Sequence, residues 1–417
     1  MKMLEFLTSL ATDTELMSAF RKSPHAALNS AGLSEEDQRA LLAGDPVALR
    51  QAVYAERAVA ARLATGKLES EGKPEDCPQQ PDSRPEEIAV HPPPPKPDSR
   101  PEEIAVHPPP PKQSAASEVE SVQVEPLDPE LDLAQDAVLA GIGSGRVADQ
   151  EPCGVWCAKG LTVVGTGMRA GLHMTTETRL AIEQAKRVLY LVADPVSEAC
   201  IRKLNPNAES LWHMYQSGKP RIEIYEAIIA KILDELESTG DLCAAFYGHP
   251  GVLTYPAWES IRRARAIGRR ARMLPAISTE DALFADLGFD IGRAGLQSFE
   301  ASRFMYYKYN FDPSAGLLLW QVSVLGEVDW NPPHTGVRPR LEVLAGYLMK
   351  FYGPEHEVFL YHAPELPTSR PLIERVALRD LSRAESIAMS TLYIPPQGQP
   401  ERNEENLQAL ARMEVRQ

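Results

Sequence analysis

Residues 81–96 read PDSRPEEIAVHPPPPK, and residues 97–112 repeat those letters without a change. The copies lie within residues 66–130, a stretch rich in Pro, Glu, Asp, Ser and Gln and nearly free of aromatics. Such a composition buries too little apolar surface to offset the entropy of ordering, so the stretch reads as a disordered linker that divides the chain. Two polar copies are too few to stack as a solenoid, and the four-proline runs 92–95 and 108–111 favour extended polyproline II. Each copy carries one apolar island, Ile88-Ala89-Val90 and Ile104-Ala105-Val106. Composition alone leaves two readings of these islands, a presented peptide or part of a semi-rigid spacer.

A formal charge of −15 with no long basic run argues against a nucleic-acid partner. Cys77, Cys153, Cys157, Cys200 and Cys243 are scattered and odd in number, and no His stands at zinc spacing. Reduced thiols and no metal site are expected. The sequence has no signal segment and no apolar run of membrane length, so a soluble cytoplasmic protein is the expectation.

Residues 1–65 are helical in pattern. Asp13 can cap a helix carrying Leu16, Met17 and Phe20, and Ser34 with Asp37 resembles a capping box. Gly44 stops that helix, and Asp45-Pro46 starts another through Val47, Leu49 and Val53. A bundle of about four helices follows, with nothing catalytic by type.

After the linker, residues 161–167, LTVVGTG, read as a buried strand entering a glycine turn. The third glycine of a dinucleotide site and the Lys-Ser/Thr of a P-loop are missing, so neither site is expected. Helical patterns at 176–185, 222–236 and 258–266 alternate with apolar runs at 188–192, 242–246, 317–324 and 358–361. The alternation predicts an α/β domain of parallel strands with crossover helices, closed by a strand at 389–394 and a polar tail helix.

GTGM at 165–168, LVADP at 191–195, YGHPGV at 247–252, MLPAIST at 273–279, LWQV at 319–322 and STLYIPP at 390–396 follow one another in an order that resembles the tetrapyrrole-methylase fold. More narrowly they resemble the borosin peptide α-N-methyltransferases, which are fused to the peptide they modify. The amino-terminal helices resemble the small helical domain that in the fungal members follows the methyltransferase; here the order is inverted. The resemblance implies a two-lobed methyltransferase over 158–397, preceded by a helical leader (1–65) and candidate core peptides within 66–130, with a tail at 398–417. It also implies an interlocked homodimer in which one chain's peptide enters its partner's active site. A tether of ~65 flexible residues, with a root-mean-square span of roughly 40–50 Å, allows this.

By position, the resemblance implies S-adenosylmethionine as cofactor, contacted by Tyr247, His249, Val252, Ser278, Ala282, Gln321, Ala363 and Thr391. The glycines around His249-Pro250 permit close backbone approach, although Ser278 reads equally well as a helix cap. The catalytic segment is carried by Trp212, Tyr215, Arg221 and Tyr225. Fungal members have tyrosine at the position of Trp212, so no hydroxyl is essential there.

The chemistry calls for such groups. A backbone amide nitrogen is a poor nucleophile because its lone pair is delocalised into the carbonyl, so its proton must leave and the imidate-like oxygen must be stabilised. A tyrosine whose pKa, ~10 when unperturbed, is lowered by a neighbouring guanidinium could be the base, with Arg221 or a second phenol holding the oxygen. Given the resemblance, the islands become substrate. Proline has no N–H, so the modified amides are expected among Ile88, Ala89, Val90 and His91, and among Ile104, Ala105, Val106 and His107. The alternatives are a methyltransferase acting in trans on a separate peptide or small molecule such as a tetrapyrrole or diphthamide intermediate, and a polyproline scaffold carrying a degenerate enzyme.

Overall fold

The computed structural model describes residues 2–65, 159–192, 194–332, 336–385 and 390–414. The repeats, and with them the candidate methylation sites, lie outside the described residues.

The amino-terminal part forms five helices where the pattern suggested about four: α1 (Met3–Thr12), α2 (Thr14–Lys22), α3 (Pro24–Ala31), α4 (Glu35–Ala43) and α5 (Pro46–Thr65). The added break falls at Ser23-Pro24, where proline is tolerated in a first helical turn but not inside a helix. Asp13 accepts from the amides of Glu15 and Leu16, Ser34 accepts from that of Asp37, and Gly44 ends α4 at φ +64°.

These helices do not fold around a centre of their own. Met3, Phe6, Leu7 and Leu10 of α1 share one core with Leu28, Leu49 and Val53, and also with Val164, Val188, Val196 and Ile201 of the domain that follows the linker. At the seam, a Cβ added at Gly171 would lie 2.6 Å from the Cβ of Ala11. Arg50 of α5 pairs with Glu365 at 2.5 Å, Arg57 pairs with Glu198 at 2.7 Å, and Lys203 donates to the Thr12 hydroxyl at 2.9 Å. Residues 1–68 and 158–417 accordingly group as one compact unit.

The first lobe is a parallel sheet ordered β3-β2-β4-β1-β5, with β1 Leu161–Gly165, β2 Arg187–Leu191, β3 Ala208–Ser210, β4 Leu242–Phe246 and β5 Ala271–Met273. Every residue of β4 is buried, as expected of a central parallel strand with both faces covered. The second lobe is ordered β6-β7-β10-β8-β9, with β6 Leu296–Glu300, β7 Gly316–Trp320, β8 Glu357–His362, β9 Leu372–Ala377 and β10 Thr391–Ile394. Here the expected parallel arrangement fails. Only β6 and β7 run parallel, and the other three pairings are antiparallel. β10 returns between β7 and β8 in the opposite sense, and β9 folds back on β8 after a short loop, with no crossover helix.

Among the described residues, no helix is long and apolar enough to cross a membrane, and no group of three or more His, Cys, Asp or Glu side chains is placed to hold a metal ion.

Candidate active site

In the first sheet Gly165 is in register with Phe246, and Phe246 with Leu191. The segments after β1, β2 and β4 therefore leave from one carboxyl edge, the edge at which open α/β sheets bind ligands. The loop after β4 is built rigidly. Gly167 and Gly248 exchange backbone hydrogen bonds of 3.2 and 3.1 Å, the Gly251 amide donates to His249 Nδ1 at 2.9 Å, and Trp258 Nε1 donates to the Gly251 carbonyl at 3.1 Å. The glycine turn after β1 is filled by the protein itself, since a Cβ at Gly165 would meet the Gly248 carbonyl at 2.2 Å. That glycine serves packing between loops.

The second lobe supplies the facing side. Antiparallel pairing sets Thr391 opposite Tyr361 and Leu392 opposite Leu319, so Gln321, Ala363 and Thr391 gather at one end of this sheet. Tyr247 and Ala282 pack in the same apolar cluster as Ala363 and Tyr393, which joins the two lobes beside the Tyr247–Gly251 segment. Leu253 and Gln321 hold φ of +53° and +59°, left-handed values that cost a side-chain-bearing residue energy. One follows Val252 directly and the other is itself a candidate cofactor contact. Ser278 is buried, and its hydroxyl is committed to a capping box with Asp281 at 2.7 Å, as the alternative reading of that residue anticipated.

The candidate catalytic segment lies beyond β3. Trp212 and Tyr215 stack with ring centroids 5.2 Å apart, and Trp330 of the second lobe stands edge-on to both, at 6.1 and 4.9 Å. Sequence reasoning missed Trp330, which sits more than a hundred residues from its ring partners and has no periodic neighbour. The backbone joins the two segments as well. The Gly218 amide donates to the Trp330 carbonyl, Trp330 donates back to the Lys219 carbonyl, both at 2.9 Å, and the Arg221 amide donates to the Val328 carbonyl at 3.2 Å.

Arg221 is the electrostatic centre of this arrangement. Its guanidinium lies over the Trp330 ring, 5.8 Å from the centroid, and faces Glu327 at 3.8 Å. Its Nε and Nη2 are buried with no hydrogen-bond partner, an arrangement that costs energy unless something else accepts from them. The expected lowering of a tyrosine pKa does not occur. Burial pushes the Tyr215 phenol well up, Tyr225 adds to the effect, and the opposing charge of Arg221 is the smaller influence. Burial likewise raises Tyr225 against Arg221. Removing a phenolate from water outweighs one nearby cation.

Asp194, from the LVADP motif, caps the helix Pro195–Leu204 by accepting from the Ser197 amide at 2.8 Å, while its Oδ2 is buried without a partner. Burial pushes its carboxyl up from 3.8 to about 6. The folded protein therefore holds this proton more tightly than the unfolded chain does, and stability is lost as pH rises from about 4 to about 6. At 1.36 kcal/mol per unit the full loss is on the order of 3 kcal/mol. Asp194→Asn keeps an acceptor for the cap and removes the charge. Its thermal midpoint is expected above that of the parent at pH 7.5 and level with it at pH 4; equal midpoints at both would contradict the assignment.

Residues 160–361 match the family described as Tetrapyrrole (Corrin/Porphyrin) Methylases. Over 243 residues the chain is 38% identical to a methyltransferase/ribosomally synthesized cyclic peptide precursor of gymnopeptides from Gymnopus fusipes, covering 57% of this chain and 58% of that one. It is 36% identical over 241 residues to a type I borosin cyclic peptide precursor from Coprinopsis marcescibilis, covering 57% and 62%. It is also 36% identical over 263 residues to the omphalotin A precursor from Omphalotus olearius, covering 62% of each. The chain thus spans about three fifths of the length of these curated relatives. Residues 160–361, which carry all of the candidate site except Ala363 and Thr391, are thus similar to the tetrapyrrole methylase family.

Proposed function

We propose that the protein is an S-adenosylmethionine-dependent methyltransferase that N-methylates backbone amides of its own repeat peptide. The observation that carries this reading is the buried pair of Arg221 donors, which make no hydrogen bond, beside Tyr215 and Tyr225. Two aligned N–H groups in a water-poor site are what an amide oxygen needs as it takes on charge. The fused precursors among the relatives support a substrate carried on the chain itself, and the apolar islands of the repeats are its amide-bearing targets.

The residues at the lobe junction fit the cofactor. Tyr247 buries its hydroxyl without a partner, and Ala282 and Ala363 are small. Tyr247, His249, Val252, Ala282, Gln321, Ala363 and Thr391 would hold it, with Ser278 contributing through backbone, since its hydroxyl is engaged. When bound, S-adenosylmethionine supplies an electrophilic methyl group on its sulfonium. Arg221 holds the amide oxygen, Tyr225 donates to the same oxygen as a neutral phenol, and Tyr215 takes the amide proton. A tyrosine with a raised pKa is seldom ionised but is a strong base when it is. Glu327, paired at once with Arg221 and with Arg340 at 3.3 Å, fixes the arginine. We read the active assembly as a homodimer exchanging peptides between protomers. Activity that persists unchanged through dilution to a monomer would overturn that part.

The experiment is intact mass after incubation with the cofactor and no added substrate. Increments of one methyl each, mapping to residues 81–112, are expected. An unmodified mass would favour a substrate supplied in trans.

A further inference from the structure

The amino-terminal helices carry no residue of the reaction derived above, yet they hold the backbone on which a candidate cofactor contact sits. From the end of β8 the chain runs through residues 362–370, HAPELPTSR, and Ala363 is buried within this run. The run is fixed from two sides. On one, the Glu365 carbonyl accepts from the amide of Ala170, in the loop after β1, at 2.6 Å. On the other stand α4 and α5. The Arg370 amide donates to the Gly44 carbonyl at 2.9 Å, and a Cβ added at Gly44 would lie 2.8 Å from the Thr368 carbonyl oxygen. Leu366 is buried in the core that α1 shares with the first lobe.

Charge completes this hold. Arg50 Nη2 of α5 lies 2.5 Å from Glu365 Oε2 and 3.1 Å from His362 Nε2, and His362 Nε2 lies 3.3 Å from Glu365 Oε1. His362 and Glu365 are both buried, and a carboxylate taken out of water needs a cation held against it. Arg50 supplies one that, unlike histidine, is charged at any working pH. The same group reaches the loop after β4. Burial pushes the Tyr247 phenol well above its ordinary value, the charges of Glu365 and Asp194 push it the same way, and Arg50 opposes them.

We propose that Arg50 is a positioning residue for the cofactor, holding Ala363 and Tyr247 in place through His362 and Glu365, so that S-adenosylmethionine binds only as well as α5 is seated. This role rests on the cofactor assignment made above and deepens it. α5 ends at Thr65, where the chain enters the segment that carries the repeats. Cofactor affinity is therefore tied to the seating of the helix from which that segment departs.

The test is calorimetric titration of the full chain with S-adenosylmethionine, beside the rate of methyl incorporation as the cofactor is varied. Arg50→Met removes the charge and keeps an apolar stem. It is expected to weaken cofactor binding about tenfold, within the range usual for coupling between two sites, and to raise KM for the cofactor in step while the rate at saturating cofactor stays within about twofold of the parent. Because one nitrogen makes both contacts, Arg50→Lys should recover most of the affinity. Arg57→Met breaks the 2.7 Å pair of the same helix with Glu198 and should leave KM unmoved. Unchanged affinity in Arg50→Met overturns the proposal, as does a fall in the saturated rate with KM unchanged, which would mean that Arg50 only holds the fold. An equal rise of KM in Arg57→Met overturns it too, since any loosening of α5 would then suffice. Should Arg50→Met not fold, Glu365→Gln neutralises the partner and keeps its shape, and it must show the same direction of change in affinity. The titration needs no methyl transfer, so it stands whether or not the repeats are the substrate. A parent that binds no cofactor removes the cofactor assignment itself, a result told apart by the first titration.

Discussion

Arg221→Ala is expected to slow methyl incorporation by at least ~10²-fold while shifting S-adenosylmethionine affinity by less than about threefold, the cost of removing one preorganised oxyanion donor. The separation follows from placement. Arg221 is tied by its backbone to Val328 and by its charge to Glu327, whereas the candidate cofactor loop around His249 is held by Gly167 and Trp258. Tyr215→Phe should be equally impaired, and pH tells the two variants apart. Because burial raises the Tyr215 phenol, the single-turnover rate of the parent should climb about tenfold per pH unit above 7 with no plateau below pH 10. In Tyr215→Phe the residual rate should be flat. A parallel fall in cofactor affinity, read by calorimetry, would mean that these residues shape the cofactor pocket instead.

Phe6→Ala is the second large effect. Phe6 is fully buried, meets Phe20 edge-on at 6.0 Å and belongs to the core that α1 shares with Val164, Val188 and Ile201. Truncating a buried phenylalanine costs about 3–5 kcal/mol. Because the core is common, that cost should fall on the first lobe and not on the helices alone. A single thermal transition moved down as a whole is expected, together with faster hydrogen exchange at Val164 and Tyr190 in β1 and β2. A variant whose helices melt early while those strand amides stay protected would show the bundle to be an independent module.

What could be read from the sequence was local. Asp13, Ser34 and Gly44 announce helix ends because a cap is satisfied within four residues, and LCAAF announces a central strand because both its faces are buried. What could not be read depended on distance. The Arg50–Glu365 pair and the packing of Trp330 on Tyr215 each join segments more than a hundred residues apart. β6 and β9, LQSFE and LIERVA, are only partly buried and carry too little apolar pattern to stand out, so the antiparallel second sheet stayed hidden. The sign of the Tyr215 shift was missed for the same reason. A neighbouring arginine is visible in the sequence, but the loss of water around the phenol is a property of the assembled site.

The shared core of α1–α5 and the first lobe has a topological consequence. Residues 1–68 and 158–417 group as one unit, so the chain between them is joined to that unit at both of its ends and has no free tip. Any peptide within it is presented with neither terminus available, which excludes threading from an end and requires lateral entry into a cleft. Within one assembly its local concentration is set by the length of the joining chain, so dilution lowers it only by separating the protomers. One backbone cut leaves it attached; release takes two, one on each side.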